Sequence, residues 1–99
     1  MKLYTVTTIW EKKGTLMSKS CLAACVTLDR AKDIIENNEG DIFETVYNLA
    51  VIEIIESDTL YSYGKERWWY QWEGDLKTGK YISIECPERY KNVSGFGIG

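Results

Sequence analysis

The sequence contains no histidine, a single proline and three cysteines. Without histidine no side chain has an unperturbed pKa near neutrality, and neither a Ser-His-Asp triad nor a Cys-His pair can be assembled. A zinc site would need carboxylates, because Cys21, Cys25 and Cys86 show no C-x-x-C spacing. On a regular strand Cys21 and Cys25 share a face about 13 Å apart, too far to be bridged. Such a set reads as small buried hydrophobes in a reducing compartment. No run approaches the roughly 18 apolar residues that span a membrane. Residues 1–14 (MKLYTVTTIWEKKG) alternate and carry charge early, unlike the apolar block of a signal peptide. A cytoplasmic protein without cofactor or metal is the expectation.

What is present suits one small domain over residues 1–99, 44% hydrophobic and 27% charged. A domain of this length buries only about 60–65% of its unfolded surface, which makes a homo-oligomer a natural source of further stability. The net charge of −3 is uneven: residues 1–33 sum to +3, residues 34–66 to −7 and residues 67–99 to +1. An isoelectric point near 4.9 argues against a duplex nucleic-acid partner, which calls for a basic stripe. A small anionic ligand held by a few lysines or arginines is compatible with it.

Residues 3–10 (LYTVTTIW) are β-branched and aromatic and read as a strand, turned at Glu11-Lys12-Lys13-Gly14 into a second one over residues 16–26. Thr27 is placed to cap a helix whose Leu28, Ala31, Ile34 and Ile35 recur at helical spacing. Gly40 is available to end it in a left-handed cap. A loop at 41–45, a strand over 48–56, a connection over 57–64 and the strand RWWYQWE follow. A turn at 74–79, a fifth strand over 80–86 and a short turn starting at Pro87-Glu88 complete the order. The expected class is α+β: a mainly antiparallel sheet in β-β-α-β-β-β order with one helix on one face.

Few constellations here carry chemistry. Glu53 and Glu56 lie three apart on a strand and point to opposite faces, so they do not form an acid–base pair. The glycines of Gly95-Phe96-Gly97-Ile98-Gly99 precede no helix and so do not form a dinucleotide fingerprint. Phe96 and Ile98 are better read as docking residues, with the glycines allowing close approach.

The segment 67–72, RWWYQW, holds three of the four tryptophans. Period-two alternation divides it into Trp68, Tyr70 and Trp72 on one face and Arg67, Trp69 and Gln71 on the other. The first row suits the core beneath the helix. Trp69, flanked by Arg67 and Gln71 and with Trp10 and Tyr81 as cross-strand neighbours, suits an exposed plane on which a base stacks, at about 1–3 kcal/mol. Lys12 or Lys13 would join Arg67 at the phosphates, and Phe96 in the tail would close the site.

The aromatic strand, Pro87-Glu88, Asn92 and Phe96-Gly97-Ile98-Gly99 together resemble a family of small proteins encoded by phages and their bacterial hosts. The stretches VTLDRA (26–31) and YNLAVIE (47–53) are similar to it as well. Some small phage proteins of this style act as immune-evasion sponges, oligomers that sequester cyclic nucleotide signals of bacterial defence systems. The resemblance brings no ligand-binding position with it; Trp69, Arg67, Gln71, Trp10, Lys12, Lys13, Tyr81 and Phe96 rest on stacking and charge. It implies a non-enzymatic anti-defence protein in the host cytoplasm that binds a cyclic oligonucleotide without cleaving it. The alternative is a protein inhibitor of a host defence or nucleic-acid-processing enzyme that presents the acidic residues 36–58 to a basic partner.

Overall fold

In a computed structural model of the chain, residues 2–39, 47–56, 62–75 and 78–91 are described. β1 (Lys2–Lys12) and β2 (Thr15–Cys25) form a hairpin, α1 (Leu28–Glu36) follows, and β3 (Leu49–Glu56), β4 (Ser62–Glu73) and β5 (Lys80–Ile84) complete the strands. A single 3-10 turn, Glu88–Tyr90, comes after β5. The five strands make one antiparallel sheet in the spatial order β2-β1-β3-β4-β5. The protein is therefore of the α+β class, an antiparallel sheet with one helix.

Local chemistry explains the tight connections. Lys13 and Gly14 both have positive φ, 52° and 79°, as a two-residue hairpin turn requires. At the start of α1 the Thr27 hydroxyl accepts a hydrogen bond from the Arg30 amide at 3.2 Å, and Asp29 sits in the first turn, near the positive end of the helix. Asn48 extends the β1–β3 ladder with its side chain. Its Oδ1 accepts from the Glu11 amide at 2.9 Å, and its Nδ2 donates to the Glu11 carbonyl at 2.8 Å.

Both faces of the sheet carry a buried cluster. On the helix face, Ala31 and Ile35 of α1 pack with Val6, Cys25, Ala50, Ile52, Tyr70 and Tyr81. On the second face, Ile9, Leu49, Val51 and Trp69 pack with Tyr90 from the 3-10 turn. Partly buried Ile84 and Cys86 complete that layer.

Strand bounds and one register differ from the sequence reading: β1 runs on to Lys12, and β5 stops at Ile84, short of Cys86. β4 begins at Ser62 and takes in part of the 57–64 connection. β2 carries two register shifts against β1, at Val6/Thr7 and Trp10/Glu11, so Leu22 and Met17 are extra residues in it. The bulge at Leu22 reverses the alternation. Cys21 pairs with Thr7 and Cys25 with Tyr4, which puts the two thiols on opposite faces rather than the same one. All three cysteines are free, and burial pushes the Cys25 thiol above its ordinary pKa. Gly40, the 41–45 loop and the tail with Phe96 lie outside the described residues. Among the described residues no helix is long and apolar enough to cross a membrane.

Candidate functional site

The pairing register fixes what stands beside each ring of β4. Trp69 lies in a cross-strand row with Thr7, Val51 and Ile84. Its neighbours Trp68 and Tyr70 point the other way, in rows with Val6 and Ile52 and with Thr8, Ala50 and Ser83. The two-row alternation read from RWWYQW is thus present.

The expected exposure of Trp69 is not. Its ring is 2% exposed and stacks on Tyr90, 5.4 Å between centroids and 6° between planes. One small domain buries both faces of this strand because the chain returns after β5 and lays Tyr90 over the second face. Three contacts fasten that return: Arg89 donates from two of its nitrogens to the Glu11 carboxylate, and the Tyr90 hydroxyl donates to it as well. The Arg89 guanidinium also stands 5.1 Å from the centre of the Tyr90 ring. Burial raises the pKa of Glu11, but the bonds from Arg89 and Tyr90 and the Arg89 charge together outweigh it, and the carboxyl lies below its ordinary value.

Arg67 is likewise spent in the fold. Its Nε donates to Glu53 Oε2 at 3.0 Å, with side chains only 9% and 1% exposed. An arginine seated on a buried carboxylate does not reach out to a ligand phosphate. Tyr81, the expected neighbour of Trp69, belongs to the opposite face: it pairs with Trp72, meets that ring edge-on at 5.1 Å and donates its hydroxyl to the Tyr47 carbonyl at 2.8 Å. Trp10 also shares the helix face, opposite Ser18, four residues along an unbroken β1 from Val6. Trp69, Arg67 and Gln71 are therefore separated by the sheet from Trp10 and Tyr81. Of the second-face group, Gln71 alone is exposed.

Three of the expected residues do fall together. Trp10 is half-buried near the open end of β1, Lys12 follows at the next position on the same side, and Lys13 forms the turn; both lysines are exposed. The small Ser18 opposite Trp10 leaves one flank of the ring low. A planar ring followed by two cations can hold a flat, anionic molecule, the ring by stacking and the cations at its charges.

Two clusters had no signal in the sequence. Glu11 and Arg89 are 78 residues apart, and Glu53 and Arg67 are 14 apart and pair across β3 and β4. The Glu11 carboxylate accepts from three donors, which weakens it as a base. Among the described residues no group of three or more acidic or cysteine side chains gathers to hold a metal. Comparison of the chain with protein-family models, curated proteins and solved structures finds no match.

Proposed function

We propose that the protein is a non-enzymatic binder that sequesters a small anionic ligand, a cyclic oligonucleotide second messenger, and so blunts a bacterial host's antiviral signalling. The half-exposed Trp10 followed by exposed Lys12 and Lys13 carries this reading. The base stacks on Trp10, and Lys12 and Lys13 neutralise the phosphates. Sequestration needs no base or nucleophile, only a plane, cations and a pocket, and self-association in the host cytoplasm would add stability to so short a chain.

Incubation with a panel of cyclic di- and trinucleotides, followed by chromatography of the bound and heat-released fractions, tests it. The expected result is retention of one class and its release intact. Conversion to new products would make the protein an enzyme instead.

The rival reading, an inhibitor that presents acidic residues 36–58 to a partner, has less support. Glu36 accepts the Tyr70 hydroxyl at 3.0 Å, Glu39 is paired with Arg30 at 2.7 Å, and Glu53 is buried on Arg67. These carboxylates are engaged within the chain, which leaves less free negative charge for a basic surface.

A further inference from the structure

β2 is an edge of the sheet, with β1 its one strand partner among the described residues. An edge strand offers a row of main-chain donors and acceptors to any extended chain, and proteins commonly blunt it with charge. Lys19 is the single charged residue of the eleven in β2, and it already has an interaction within the chain. Of the five large hydrophobic residues that stand exposed among the described residues, Leu16, Met17 and Leu22 lie in this strand and Val26 directly follows it.

The order of large and small residues along this edge selects its occupant. In a two-fold antiparallel pair of identical strands, the residue on the axis faces its own copy. With Ser20 on the axis, Leu22 lies opposite the partner's Ser18 and Met17 opposite the partner's Ala23. Leu16 lies opposite the partner's Ala24, and Val26 opposite the partner's Gly14. Every exposed apolar side chain of the edge thus meets a small residue. An axis at Lys19 would set two lysines face to face, and one at Cys21 would set Leu16 against the partner's Val26. The Ser20 register also brings the extra residues at Met17 and Leu22 within one position of those in the other copy, so the two bulged strands stay in step.

The charges at the two ends of the edge agree with this register. Lys12 and Lys13 are exposed at the hairpin, and Asp29 is exposed in the first turn of α1, beyond the far end of β2. None of the three has an ion pair among the described residues. The antiparallel copy sets Lys13 opposite the partner's Thr27 and Lys12 opposite the partner's Leu28, beside the partner's Asp29. Basic end meets acidic end twice, once on each side of the axis. One carboxylate against two lysines leaves a positive balance beside Trp10.

We infer that the protein is a two-fold dimer joined edge to edge through β2, with the sheet continuous across the axis at Ser20. This deepens the self-association in the proposed function by naming its surface and register. It is tested without nucleotide, so a monomer would sink the dimer and leave nucleotide retention to be judged by itself.

Sedimentation velocity across a range of protein concentrations should show a dimer. Leu22→Asp and, independently, Val26→Asp should each raise its dissociation constant at least about tenfold, in chains whose circular dichroism is unchanged. Lys12→Glu and Asp29→Lys should each weaken the dimer and, combined, restore it. In a Cys21→Ser background, Ser20→Cys should close an interchain disulfide on mild oxidation, because facing residues of antiparallel strands lie about 4.5–5.5 Å apart. Ser18→Cys, displaced from the axis, should not. A chain that is monomeric at every concentration, a dimer indifferent to both Leu22→Asp and Val26→Asp, or cross-linking through Ser18→Cys and not Ser20→Cys would overturn the inference. So would a monomer that binds phosphatidylserine vesicles or a hydrophobic peptide through Leu22, since the edge would then belong to a membrane or to another protein.

Discussion

The rings of Trp69 and Tyr90 lie parallel, 6° apart in plane and 5.4 Å apart at their centres, on the face of the sheet away from α1. Tyr90 occupies the position over Trp69 that a stacked ligand would need. The aromatic strand is thus buried from both sides, by Ala31 and Ile35 of the helix on one and by the chain's return after β5 on the other.

Truncating that lid should be costly. Tyr90→Ala removes a buried ring and its stack, and a loss of about 2–4 kcal/mol in urea unfolding is expected, with tryptophan emission shifted to the red. Tyr90→Phe keeps the ring and gives up the hydroxyl bond to Glu11, at about 1 kcal/mol. An unchanged midpoint for Tyr90→Ala would show that the stack contributes nothing.

Arg67 and Glu53 should fail separately and succeed together. Arg67→Met strands the Glu53 carboxylate inside the sheet and should cost about 3–5 kcal/mol. Adding Glu53→Leu removes the stranded charge and should restore most of that loss in a double-mutant cycle.

The Glu11 cluster sets an acid limit. Because the folded carboxyl lies below its ordinary value, its contribution is fully present above the ordinary carboxylate range and disappears as pH falls through the folded value. Unfolding midpoints should therefore drop on acidification, and Glu11→Gln should show a lower plateau with a shallower acid slope. Parallel slopes for the two proteins would remove Glu11 from that account.

Local features were legible in the sequence. Thr27 caps α1 as its side chain dictates, Lys13-Gly14 makes the hairpin turn, and the alternation of RWWYQW survives in the register of β3, β4 and β5. These depend on neighbours within a few residues. The side of the sheet to which Trp69 points relative to Trp10 and Tyr81 depends on pairing across β1, β3 and β4, and no short window contains it. Its burial depends on Tyr90, and on a glutamate 79 residues away in sequence from that tyrosine. Cys21 was misplaced for a smaller reason, one extra residue at Leu22, which shifts every later side chain of β2 to the other face. Arg67 looks available in the sequence because Glu53, 14 residues away, comes opposite it only through the β3–β4 register.

The measurement that tests the binding reading most directly is nucleotide retention by Trp10→Ala beside the unaltered chain, across the cyclic di- and trinucleotide panel. The unaltered chain should hold one class of nucleotide and release it intact on heating, and Trp10→Ala should lose it at an unchanged unfolding midpoint. A chain that retains none of the panel, or a Trp10→Ala variant that retains as much as the original, would contradict it.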